Sequence, residues 1–148
     1  MLVTEIVPGV GLNPDSRMRC ETALALGTWM KTFVIPAATL MADRGDVVGV
    51  DHGSTYICRR RNNAPDGKLS EHSFGNAIDV MGFRFAEGDS IAIEPRERDG
   101  TMAEAFQDAV RASACMTFTT VLGPGTDAAH ADHLHLDVKE RNGGFRLC

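Results

Sequence analysis

The stretch His133-Leu134-His135-Leu136-Asp137-Val138 alternates polar and apolar residues without a break. Alternate side chains share a face on a strand. Leu134, Leu136 and Val138 are therefore expected on a core, and His133, His135 and Asp137 on the opposite side. An ordinary half-buried strand with a solvated polar face has the same pattern. Two histidines on one face, in a chain that has five, add a second reading as a site. Imidazole nitrogen and carboxylate oxygen are the usual non-thiolate ligands of zinc.

Partners for such a site stand upstream, in Ser70-Glu71-His72-Ser73-Phe74-Gly75-Asn76-Ala77-Ile78-Asp79. Four of the five histidines fall in this stretch or in His130-Ala131-Asp132-His133-Leu134-His135. A catalytic zinc typically takes three protein ligands and keeps one position for water, and His72, Asp79 and His135 supply that set. Gly75 suggests a tight turn into a strand that begins near Asn76, so a loop histidine and a strand carboxylate would converge. Asp79 is flanked by Ile78 and Val80, where an unpaired carboxylate would be costly. A metal relieves that cost, as do hydrogen bonds from neighbours. His72 taken alone reads as a surface loop histidine. His130 is the competing ligand, and otherwise lines the cleft or lies on the surface. Asp137 either orients a ligand histidine or is solvated. His52, in a turn, needs no function.

At 148 residues the chain fits one domain with a real core. Hydrophobic residues are 43% and charged residues 24%, close to globular averages. The net charge of −5 argues against a nucleic-acid partner, which calls for a basic surface. Arg59-Arg60-Arg61 is the one basic cluster. No apolar run approaches the roughly 18 residues of a membrane span. Met1-Leu2-Val3 does not open a signal peptide, which is read as a mature or trimmed form or as a cytosolic protein. Cys20, Cys58, Cys115 and Cys148 form no CxxC pair. Two disulfides in an oxidising compartment explain them, and favour a periplasmic or secreted home. Four buried free cysteines are the alternative. Of the three pairings, Cys20–Cys58 with Cys115–Cys148 is preferred, because it pins each half of the fold separately.

Along the chain, residues 1–15 hold Pro8, Gly9, Gly11 and Pro14 and read as an extended arm. Ser16 is the expected cap of a helix to about Met41, which Pro36 breaks or kinks. Val47–Val50 and Ser54–Arg59 read as strands joined by an Asp51-His52-Gly53 hairpin. Residues 61–68 form a loop. Further strands are expected at Asn76–Phe83, Ile91–Ile93, Phe118–Leu122 and His133–Val138. Thr101 and Glu104, three apart, make a capping box for a helix to about Cys115. The fold class is α+β, one domain over 16–148 with a largely antiparallel sheet packed with helices.

Ser-x-His-x-x-Gly-x-Ala-x-Asp over 70–79, followed by the late His-x-His over 133–135, resembles the zinc peptidases that include D-Ala-D-Ala carboxypeptidases, D-Ala-D-Ala dipeptidases and murein endopeptidases. The hedgehog signalling domain shares that fold. The closer resemblance is to the bacterial extensin-like C-terminal domain family. It rests on Tyr56-Ile57-Cys58-Arg59, on Leu69 through Phe83, and on Val121-Leu122-Gly123-Pro124-Gly125 through Asp137, and it covers most of residues 16–148. The resemblance implies zinc on His72, Asp79 and His135, with Asp132, three before the last ligand, as general base. It places His133 beside the substrate or the developing oxyanion, and suggests Arg59 as a nearby cation, which is otherwise a solvated strand-end residue. Ser70 and Asn76 would meet substrate polar groups or simply hold the turn. Strict alternation sets Asp132 on the Leu134 face, so it serves as base only from a turn preceding the strand.

The residues read as a zinc site, and the resemblance implies a peptidase acting on stem peptides or cross-links of bacterial peptidoglycan. A non-catalytic zinc-stabilised module that binds wall peptides or a protein is the second reading, since a scaffold does not settle function. A disulfide-stapled domain without metal is the third.

Overall fold

The computed structural model describes residues 1–148. Its frame is one seven-stranded sheet: β1 (Leu2–Val7), β2 (Val10–Arg17), β3 (Val47–His52), β4 (Ala77–Phe85), β5 (Ile91–Ala92), β6 (Thr120–Leu122) and β7 (Leu134–Asp137). The spatial order is β1-β2-β3-β4-β7-β6, with β5 on β4. Only β2 and β3 run parallel; the other pairs are antiparallel. The α+β class holds, with a mixed sheet.

The strand alternation expected of 133–138 is present in β7. Leu134 and Leu136 are fully buried, each such side chain contributing roughly 1.5–3 kcal/mol on leaving water. They face Val80 and Ile78 across the β4–β7 register. The same core face takes the helices. Trp29 packs against Phe83 and Phe118, with ring centroids 5.9 and 6.2 Å away. Its indole nitrogen donates to the Val110 carbonyl at 3.1 Å, so the largest core side chain buries no unpaired donor.

The first helix begins at Cys20, not at Ser16. Ser16 lies inside β2 and is buried against the Thr55 hydroxyl at 2.7 Å. α1 (Cys20–Trp29) passes through a π-helical turn, Met30–Val34, into α2 (Ile35–Ala38). Pro36 has no N–H to give and crowds the carbonyl four residues back. The wider turn just before it lets the helix continue where a break or kink was expected. α3 (Met102–Ala114) has the expected N-cap: Thr101 accepts from the Glu104 amide at 3.1 Å.

Three further expectations are corrected. Residues 1–15 are not an arm. β1 and β2 form a hairpin that joins the sheet through β3, and Val3, Val10 and Leu12 enter the core. Ser54–Arg59 is not a strand. Its backbone groups go elsewhere: Ser54 O accepts from Asp79 N, and Ile57 N donates to His72 O. β3 pairs with β4 instead, and His52 closes β3 opposite Val80, buried, its Nε2 2.7 Å from the Pro14 carbonyl. Finally, only Cys115–Cys148 is bonded, with Cα atoms 6.2 Å apart. Cys20 and Cys58 are free and exposed; Cys20 opens α1 and its Sγ lies 3.6 Å from Met1 Sδ, which leaves the preferred Cys20–Cys58 pair unformed. The bonded pair ties the end of α3 to the last residue, and Leu147 bridges to Thr120 beside β6. No helix is long and apolar enough to cross a membrane.

Candidate metal centre

The face of β4 and β7 opposite the core carries the site. Asp79 and His135 are register partners on the two strands. Their neighbours Ile78, Val80, Leu134 and Leu136 point the other way into the core, so alternation alone brings the pair to one surface. His72 arrives from a single helical turn, Glu71–Phe74, capped by Ser70 and ended by Gly75 in the left-handed region at φ 70°. That conformation suits glycine. It returns the chain at once into β4, and so delivers a fully buried imidazole to the strand face.

The three ligand atoms converge. His72 Nε2 lies 3.1 Å from Asp79 Oδ1 and 3.2 Å from His135 Nδ1, and His135 Nδ1 lies 3.0 Å from Asp79 Oδ1. Ligands about 2.0–2.1 Å from a tetrahedral zinc stand roughly 3.3 Å apart, close to these edges. Each ligand is also held from behind. His72 Nδ1 donates to the Thr55 carbonyl at 3.0 Å. His135 Nε2 donates to Asp137 Oδ2 at 3.2 Å. Asp79 Oδ2 accepts from Ser54 Oγ at 2.8 Å and faces Arg59 Nη2 at 3.5 Å. These partners fix the tautomers so that Nε2 of His72 and Nδ1 of His135 turn lone pairs inward. Three acceptors facing one another are reconciled by a metal ion between them or by a proton on one of the imidazoles. The donor set therefore fits a metal ion, and His72, Asp79 and His135 form the one group in the chain with that geometry.

Without a metal, a proton fills the need. Burial opposes a charged His135, but hydrogen bonds to Asp137 and Asp79 outweigh it and push its pKa up to about 9. Burial likewise opposes charge on Asp79, and His135 and His72 together hold its carboxyl well below the usual carboxylate range. Asp137 is lowered in the same sense: against its burial, bonds from His135, Thr120 and the Lys139 amide favour the carboxylate.

A cleft of about 370 Å³ opens over the triad. Arg59, Ser70, His130 and His133 line it. Ser70 Oγ accepts from the His72 amide at 3.4 Å, so it also holds the turn. His133 Nε2 stands 3.6 Å from Asp79 Oδ1. His130 is buried, its Nδ1 2.6 Å from Asp127 Oδ1, with its ring centroid 5.3 Å from that of His133. Two expected residues are not on the cleft wall. Asp132 precedes β7, as a base would require, but its side chain is 77% exposed and Oδ1 accepts from His133 Nδ1 at 2.9 Å. Asn76 spans Glu71 and Arg19 instead, donating to Glu71 Oε2 at 3.1 Å and accepting from Arg19 at 3.3 Å.

Sequence reasoning missed Ser54, Thr55, Asp127, Thr120 and Lys139. Ser54 and Thr55 act from an irregular segment, Thr55 through its backbone, and nothing in their spacing marks that role. Asp127 left a signal: it stands three before His130 and caps the short turn Ala128–His130.

An α+β domain carrying a buried His-Asp-His cluster at the floor of a cleft is the class that fold and site define. The family model described as extensin-like protein C-terminus matches residues 1–148, and the chain belongs to that family. No curated protein and no solved structure matches it.

Proposed function

We propose that the chain is a zinc-dependent peptidase that hydrolyses peptide bonds of bacterial peptidoglycan, in the stem peptide or its cross-links. The observation that carries this reading is the convergence of His72 Nε2, Asp79 Oδ1 and His135 Nδ1, each tied from behind, at the floor of an open cleft. Zinc held there would polarise a peptide carbonyl and acidify a water. The peptide substrate and the kinship to zinc peptidases rest on the motif resemblance.

The chain's own groups take the remaining roles. His133 presents Nε2 to the cleft while its Nδ1 is bonded to the Asp132 carboxylate. That arrangement fits a general base whose tautomer and orientation are set by a carboxylate behind it. Asp132 thus works through His133 and does not itself take the proton. The Arg59 guanidinium, 3.5 Å from Asp79 Oδ2 and facing the cleft, is placed to offset negative charge developing on a carbonyl oxygen. His130, oriented by Asp127, adds a second imidazole on the same wall. The single disulfide supports a periplasmic or secreted setting.

The test is digestion of isolated peptidoglycan by zinc-reconstituted protein, followed by muropeptide analysis. New products lost in His133→Ala, with zinc retained, support the peptidase. A second reading is favoured by the outward-turned Asp132 carboxylate: a zinc-stabilised module that binds wall peptide or a protein without cutting. Zinc binding with no cleavage across a muropeptide panel would decide for it.

A further inference from the structure

The cleft wall holds cations that the metal centre leaves unused. Four carboxylates line the cleft, and each already has a partner. Asp79 and Asp137 face His135, Asp127 faces His130, and Glu71 accepts from Lys139 Nζ at 3.0 Å. Of the four cations, Arg59 faces Asp79 and Lys139 is taken by Glu71. The other two, Arg61 and Arg141, meet no carboxylate. Arg141 is nonetheless held in place: Nη1 donates to the Thr119 carbonyl at 2.9 Å and Nη2 to Thr120 Oγ1 at 2.7 Å. A guanidinium carries five N–H donors, so this anchoring leaves others for a ligand. Thr120 in turn is the register partner of Asp137, the residue behind His135. Arg141 therefore sits next to the metal centre's own supports. Arg61, exposed and lining the same cleft, heads a turn with Asn62 and Asn63 both in the left-handed region, closed by Arg61 N donating to Lys68 O. Leu122, Ala129 and Leu147 supply the only apolar lining.

We infer that Arg141, with Arg61, forms an anion subsite that takes a carboxylate of a peptide ligand lying across the metal centre, with small apolar side chains against Leu122 and Leu147. The inference rests on the peptide-cleft reading above and names the chemistry that cleft selects. One anchored guanidinium, Arg141, and one exposed guanidinium, Arg61, both without counter-charges in a chain of net charge −5, suit recognition of a carboxylate. The carboxylate belongs either to a chain end or to an acidic side chain.

Calorimetric titration of the full chain separates these cases with three probes: N-acetyl-Ala-Ala, its C-terminal amide, and N-acetyl-Glu-Ala amide. Both zinc-loaded and metal-free protein are titrated. Wild type is expected to bind one of the carboxylate probes about tenfold more tightly than the neutral amide, and Arg141→Gln and Arg61→Gln each to shrink that preference to roughly twofold or less. Which carboxylate probe wins assigns the source. Arg61 has no side-chain partner in the fold, so its variant reads charge alone, and Arg141→Lys should restore part of the preference that Arg141→Gln loses. Equal binding of all three probes overturns the inference. So does a preference that survives both glutamine substitutions, the result expected if the carboxylate goes to the metal. A preference that persists in metal-free protein upholds the subsite even where the zinc reading fails.

Discussion

Asp79 and His135 stand directly opposite each other on β4 and β7, with Oδ1 3.0 Å from Nδ1. A directly paired position in an antiparallel ladder sets Cβ atoms about 4.5–5.5 Å apart. The backbone hydrogen bonds of the sheet thus hold two of three ligands at a fixed span before any ion binds. The third, His72, is fixed by the turn that feeds β4. A site built on strands in this way is pre-organised, and binding of a metal there would need little rearrangement of the chain.

Zinc should bind at about one ion per chain, measured by elemental analysis, and should raise the melting temperature. A ligand at a hundred times its dissociation constant adds roughly 2.7 kcal/mol. His72→Ala should abolish both the stoichiometry and the zinc-dependent rise in melting temperature. A melt of wild type that is indifferent to zinc would refute the metal centre.

The pH dependence of the metal-free protein follows from His135. Its folded pKa is raised to about 9, above the ordinary histidine value near 6.5. Its contribution to stability is therefore complete below about pH 6.5 and is lost as pH climbs through about 9. Asp79 is depressed, so its contribution is present above the ordinary carboxylate range and is lost on strong acidification. Zinc affinity should run the other way from metal-free stability between about pH 6.5 and 9, rising as the His135 proton leaves. Urea unfolding of metal-free protein across that window, beside zinc titrations, checks both signs. An affinity that falls with pH would contradict the assignment of His135.

His133→Ala should cost roughly 10²–10⁴ in kcat with zinc content unchanged, the range for loss of a general base. Asp132→Ala, which removes only the group behind Nδ1, should cost about ten- to a hundredfold. Rates on purified muropeptides separate the two. A larger loss in Asp132→Ala than in His133→Ala would return the proton to Asp132 itself.

Non-reducing mass mapping should find one disulfide, Cys115–Cys148, and free thiols at Cys20 and Cys58. Cys115→Ser should lower stability by about 2–4 kcal/mol, the usual worth of a bridge that closes a loop of this length. Denaturant midpoints with and without reductant measure the difference. A Cys20–Cys58 peptide in the map would show that the second pair forms after all.

The readings that held came from local periodicity. His133–Val138 announced its two faces by alternation, and the Thr101–Glu104 spacing announced the start of α3. The readings that failed depended on distant partners. Gly and Pro in residues 1–15 read as an arm because a strand's partner is not written in its own residues; here β2 pairs with β3, 38 residues on (Gly11 with Gly49). Tyr56–Arg59 has strand-forming residues, but β4 pairs with β3 and leaves that segment to wrap the site. The candidate ligands were legible as residue types at a spacing, because His and Asp are scarce donors in this pattern. Their tautomers were not, since these depend on the Thr55 carbonyl and the Asp137 carboxylate.

By itself, then, the sequence determined which side chains can meet a metal, which face of β7 is polar and where α3 starts, because those properties repeat every two to four residues. Only the tertiary structure decided that Asp132 turns outward behind His133, that Cys20 and Cys58 stay apart from each other as thiols, and that Arg141 faces the cleft with no counter-charge. The first and last of these are set by the register of β4, β6 and β7 and the loops beside them, and the cysteines by the packing of α1 and of the irregular segment 54–59, contacts between residues far apart in the chain that no local pattern encodes.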